Sequence, residues 1–225
     1  MALYNQVIQR LKSKKDPKNI EGMKRFGINT KGTLGISVAA LREMAREIGK
    51  DHELAGRLWR SRIHEARILA SMIDDPDKVA ESQLDRWAGD FDSWDVCDQC
   101  CSNLFARTRY AYRKASRWSR EDGEFVKRAG YAMMAALAVH DKKSGDDRFV
   151  PFFPLIKYGS RDERNFVKKA VNWALRQMGK RSRKLNALAI RTAREIQKMD
   201  SRSARWVAAD AIRELESKEV QSRLD

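Results

Sequence analysis

The sequence predicts an all-α protein, a solenoid of stacked helix pairs. Three observations carry that expectation. Apolar residues recur at three- and four-residue spacing along most of the chain, as helices with one buried face require. No stretch alternates apolar and polar residues for long with β-branched enrichment, so strands are not expected. One helical rhythm also returns about every 40 residues. EFVKRAGYAMMAAL starts at Glu124, NFVKKAVNWALRQM at Asn165, 41 residues on, and SARWVAADAIREL at Ser203, a further 38.

The elements follow in order. MALYNQVIQRLKSKK reads as a short helix and loop within residues 1–20 and lacks the apolar centre of a signal peptide. Helices are expected over residues 37–48, 52–60, 64–73, 81–87, 93–105, 109–116, 123–139, 162–178, 184–198 and 203–216, joined by short loops. Pro17, Pro76, Pro151 and Pro154 fall between these segments, where proline starts or ends helices. HEARILASMI, from His64, is a looser copy of the repeat. A helix pair of this period buries its apolar face only by stacking on its neighbours. The expectation is a single HEAT-like repeat domain over residues 1–225, with a long concave face. An irregular helical bundle is the alternative.

Composition narrows the function. Lys and Arg number 46 against 31 Asp and Glu, a net charge of +15, which favours a polyanionic partner. No apolar run is long enough to span a bilayer, and the expected compartment is the cytoplasm, near the nucleoid. Cys97, Cys100 and Cys101 cluster within five residues. An odd, clustered set is no disulfide framework, and no second Cys or His cluster completes a zinc site. They are expected as buried core residues, with no metal.

Helix geometry then separates the unusual residues from the core. In the segment around Trp173, Val167, Ala170, Val171, Ala174, Leu175 and Met178 form the apolar stripe. Lys169, Trp173, Arg176 and Lys180 share another face at i, i+4, i+7 and i+11. An exposed indole among cations suits an aromatic base beside phosphates, although a protein–protein hot spot would look similar. In FDSWDVCDQCCSNLF, Val96, Cys97, Cys100 and Leu104 make the apolar stripe. Trp94 and Asp98, four residues apart, stack on one flank. Acids of a first helical turn complement the helix dipole, which accounts for Asp92 and Asp95 better than for Asp98. Arg128 lies opposite Val126, Met133 and Leu137, beside the small Ala132 and Ala135. It is either open to a ligand or a solvated surface arginine.

SWDVCD (93–98), FVKRAG (125–130) and NFVKKAVNWALRQMGKR (165–181), with a looser LGIS (34–37), resemble the bacterial AlkD-like DNA glycosylases, the DNA alkylation repair family with HEAT-like repeats. The resemblance covers most of the chain, weakly in the first and last thirty residues. It implies that Asp98 is the catalytic carboxylate and that Trp94 and Trp173 flank the damaged nucleotide on the concave face. It also implies that Arg128 and Arg176 hold DNA. Family members excise cationic N3- or N7-alkylpurines from duplex DNA without a metal and without deep base flipping. Some have two consecutive Trp where this chain has Ser93 and Trp94, and others have weak or no glycosylase activity.

The chemistry fits the residue types. Hydrolysis of an N-glycosidic bond passes through an oxocarbenium-like sugar that a carboxylate stabilises while orienting water. An alkylated purine is already cationic and leaves as a neutral base, so one carboxylate suffices. Indole faces favour a cation by about 0.5–2 kcal/mol per contact, and Arg128, Lys169, Arg176 and Lys180 would bind phosphates. The expectation is a monomeric, cofactor-free monofunctional glycosylase acting on double-stranded DNA. Two other possibilities are a non-catalytic relative that binds DNA structures and a protein–protein scaffold. The net charge and the cationic face around Trp173 disfavour the scaffold.

Overall fold

The computed structural model describes residues 2–224. Among them every regular element is a helix, and none of these helices is long and apolar enough to cross a membrane. The chain forms two compact units, one ending at Arg109 and the other beginning at Tyr110.

The first unit contains α1 (Ala2–Ser13), α2 (Pro17–Arg25), α3 (Val38–Ile48), α4 (His52–Arg60), α5 (His64–Ile73), α6 (Glu81–Gly89) and α7 (Trp94–Asn103), followed by a 3-10 turn, Phe105–Arg107. Its starts are written in the sequence. Asp16, Ser37 and Asp51 each accept a backbone N–H of the following first turn, and Pro17 opens α2 where no N–H is needed. α5 lies at the centre, packed on α3, α4 and α7, so nearly all its residues are buried. Its Glu65 is fully buried yet satisfied, accepting the backbone N–H groups of Leu34, Gly35 and Ile36 at 2.6–3.3 Å. The LGIS segment is thus a loop wrapped on a carboxylate. Gly35 takes φ +80°, and a Cβ there would lie 2.3 Å from the Asp16 carbonyl oxygen.

The second unit contains α8 (Ala111–Trp118), α9 (Glu124–His140), α10 (Phe152–Gly159), α11 (Asn165–Gly179), α12 (Arg183–Gln197), α13 (Arg202–Leu215) and α14 (Lys218–Arg223), with a 3-10 turn, Asp146–Arg148, before α10. The three copies of the repeat are α9, α11 and α13. α11 packs on both of the others, while α8, α10 and α12 back α9, α11 and α13. These are HEAT-like helix pairs. Side chains also tie one repeat to the backbone of another. Arg128 Nη1 donates to the Phe166 carbonyl (2.5 Å), Arg164 Nη1 to that of Asp122 (2.6 Å) and Ser203 Oγ to that of Asp162 (2.8 Å). Arg181 donates to Ala138 and Ser144.

Three helices were not expected. α2 buries none of its residues and so carries no apolar stripe to find. α10 contains Pro154, which reads as a breaker but falls in the first turn, where its missing N–H costs nothing. α14 has six residues. α9 departs from the expected one-sided helix. Every residue from Lys127 to Ala138 is buried, because α8 and α11 both pack against it. Gly130 permits the α8 approach, since a Cβ there would meet the Ser119 backbone nitrogen at 2.3 Å.

Candidate nucleic-acid interface

The seven residues singled out by sequence divide between the units. Trp94 and Asp98 lie on α7 in the first. Arg128 on α9 and Lys169, Trp173, Arg176 and Lys180 on or just after α11 lie in the second.

The start of α7 is held from several directions. The buried Ser93 hydroxyl donates to Asp95 Oδ1 (2.6 Å) and accepts the Asn29 N–H (3.2 Å). Asp95 Oδ2 meets His64 Nε2 of α5 at 2.7 Å. Burial opposes charge on His64, but the hydrogen bond and charge of Asp95 outweigh it, and the imidazole pKa rises above its ordinary 6.5. Asp95 shows the converse. Burial pushes its pKa up, the His64 bond pulls it down, and the carboxyl ends below its usual 3.8. Asp92 adds an ion pair to Arg67 (3.6 Å) and accepts from Asn29. The acids of this first turn are therefore structural fasteners rather than dipole partners alone.

On this fixed turn Trp94 and Asp98 are both half-buried. The Trp94 indole N–H donates to the Phe26 carbonyl (3.1 Å), which sets the ring against the segment after α2. On the other flank Val96, Cys97, Cys100 and Cys101 are fully buried. The cysteines are buried core thiols not joined in disulfides, and burial pushes the Cys100 thiol well above its usual range. Among the described residues no three His, Cys, Asp or Glu side chains are grouped to hold a metal ion. A cleft of about 600 Å³ in this unit is lined by residues of α4 and α6, including the stacked pair Trp59 and Trp87, and by neither Trp94 nor Asp98.

In the second unit the apolar stripe of α11 is fully buried, as the periodicity requires. Lys169 is exposed, and no carboxylate lies within ion-pair distance of it among the described residues. Trp173, Arg176 and Lys180 are half-buried. Arg176 pairs with Glu214 (2.6 Å) and Asp210 (3.2 Å) of α13, and Lys180 with Glu214 (2.7 Å). Sequence reasoning treated these cations as open and missed both carboxylates, which α13 places opposite one turn apart. Arg128 takes neither of its two expected positions, open to a ligand or solvated at the surface. It is 5% exposed, with its guanidinium turned to the next repeat, because α9 is enclosed on two sides. Sequence reasoning also missed His64 and the exposed Trp206 of α13. His64 looked like one of three scattered histidines, while Trp206 carried a signal in its spacing.

One solved structure agrees with this fold. A solved structure of a protein related to the HEAT-like repeat DNA glycosylases, from a family with affinity for branched DNA structures, superposes with a TM-score of 0.77. It shares 18% identity and covers 93% of this chain and 94% of its own. An engineered protein matches at a TM-score of 0.40, with 12% identity over 88% of this chain and 97% of its own. No curated protein sequence matches. The family model described as DNA alkylation repair enzyme spans residues 7–215. The chain therefore belongs to the DNA alkylation repair enzyme family.

Proposed function

We propose that this protein is a monofunctional DNA glycosylase that hydrolyses the N-glycosidic bond of cationic N3- or N7-alkylated purines in duplex DNA. One observation carries the proposal. Trp94 and Asp98 sit a turn apart on a helix start that Ser93, Asp95 and His64 lock in place, so a π-face and a carboxylate keep a fixed spacing. Asp98 stabilises the developing positive charge on the sugar and orients the attacking water. The bond from C1′ to the purine nitrogen breaks, its electron pair neutralises the departing base, the water oxygen bonds to C1′, and the proton that water loses passes to the Asp98 carboxylate and on to solvent. Trp94 and Trp173 favour cationic partners. Lys169, Arg176 and Lys180 contact phosphates, and the buried Arg128 sets the spacing between α9 and α11 that presents them.

Incubation with methylated duplex DNA tests the proposal, with released bases measured directly. Asp98→Asn should abolish release and leave DNA binding within a few-fold of wild type. Wild-type release no greater than background, with binding intact, would sink the catalytic function.

Non-catalytic recognition of DNA structure has its own support. The structural relative comes from a family with affinity for branched DNA. Binding to junctions in preference to alkylated duplex, without base release, would favour it.

A further inference from the structure

α13 repeats the pattern that drew attention to α11. Arg202, Trp206 and Arg213 occupy positions i, i+4 and i+11, the spacing of Lys169, Trp173 and Lys180, and all three are exposed. The core does not explain Trp206. Ala204, Val207, Ala208, Ala211 and Leu215 already give α13 a fully buried stripe, while Trp206 is 41% exposed. Large exposed aromatics flanked by cations are a surface expense that binding rationalises.

We propose that this stripe is a second nucleic-acid contact, selective for unpaired bases, with Trp206 as the stacking platform. The proposal rests on the DNA function above and adds a substrate feature to it. Within a duplex the bases cover each other's faces, and only their edges reach the grooves. An indole face finds its partner on an unpaired base that has left the stack. The surrounding charge suits the phosphates on either side. Lys168 Nζ, from the preceding repeat, lies 5.2 Å from the Trp206 ring centroid. Neither Lys168 nor Arg202 has a carboxylate within ion-pair distance among the described residues. Arg205 pairs with Asp200 at 3.3 Å on an exposed edge, and Arg213 pairs with Asp210. Glu163 accepts from Ser201 Oγ and the Ser203 N–H and interacts with the charges of Lys168 and Arg202 from beyond ion-pair distance.

The experiment uses the full chain and two fluorescent DNAs, a blunt duplex and the same duplex with a short unpaired tail, in anisotropy titrations. Wild type should prefer the tailed DNA. Trp206→Ala should weaken tailed binding by about five- to a hundredfold, the range that base–aromatic stacking supports, and change blunt binding less than about twofold. Trp206→Phe should keep most of the preference, and a matching thermal melt verifies the fold. Equal losses on both DNAs, or no loss on the tailed one, overturn the proposal while duplex binding stands. Failure of wild type to bind either DNA defeats the underlying function instead, and a protein–protein role for Trp206 would then be the alternative.

Discussion

Replacing Glu214 with Gln removes the carboxylate that Arg176 and Lys180 share, at 2.6 and 2.7 Å. A carboxylate and a phosphate compete for the same donors, and a cation already paired displaces fewer counterions when it meets DNA. Each phosphate contact contributes about 0.9 to the slope of log K against log salt on duplex DNA. Two released cations therefore steepen the slope by up to about 1.8. Asp210 stays 3.2 Å from Arg176, so the expected change lies between about 0.9 and 1.8. Between about 50 and 200 mM salt, affinity should then fall by an additional factor of about 3 to 12. At the low-salt end Glu214→Gln should bind duplex DNA more tightly than wild type. The loss in folding stability is small, about 1 kcal/mol, because all three groups are partly solvated. Anisotropy titrations across a salt series measure the slope. An unchanged or shallower slope in a folded variant would refute the assignment of Arg176 and Lys180 to phosphates.

Two further outcomes follow from the packing and the charges. Gly130→Ala should destabilise the chain by about 1–3 kcal/mol despite its better helix propensity, because the new methyl meets Ser119 backbone that cannot swing away. Gly56→Ala in α4, whose Cβ would meet only the tip of Arg60 at 3.7 Å, should be neutral or stabilising by up to about 1 kcal/mol. Denaturant melts in which Gly130→Ala is no less stable than Gly56→Ala would contradict the packing of α8 on α9. His64→Gln should destabilise most in mildly acidic solution. The raised His64 pKa makes its contribution complete below 6.5 and lost as pH climbs through the folded value. The lowered Asp95 pKa makes its share present above 3.8 and lost as pH falls through the folded value. The difference in Tm between wild type and variant should peak from about pH 4 to 6.5 and shrink as pH rises through the folded His64 pKa. A gap independent of pH would show that the pair is not ionised.

The repeat and the buried stripes were legible because both depend on periodicity within one helix. α4 and α5 begin and end where their apolar spacing does, and the α11 stripe is buried residue for residue. Partners from other helices were less visible. Nothing near Arg176 in sequence announces Asp210 and Glu214, because α13 brings them across from 34 and 38 residues away. Arg128 misled for a related reason. A helix enclosed on two sides has no solvent face, so its arginine is buried against a carbonyl instead. Trp206 was legible in principle, being placed on α13 as Trp173 is on α11. Trp94 and Asp98 were found as a pair, whereas the segment around Phe26 that orients the indole has no periodicity to reveal it.

The bonds that run from side chains of one repeat to the backbone of another have a mechanical consequence. Repeat arrays joined by apolar faces alone slide and flex, because hydrophobic contact has no preferred register. Here, within the second unit, Arg128, Arg164, Arg181 and Ser203 each grip a carbonyl in another repeat. Slippage would strand the buried Arg128 and Ser203 side chains without these partners. The unit should therefore behave as a ruler rather than a spring, with α9, α11 and α13 exchanging their amide hydrogens in one cooperative step.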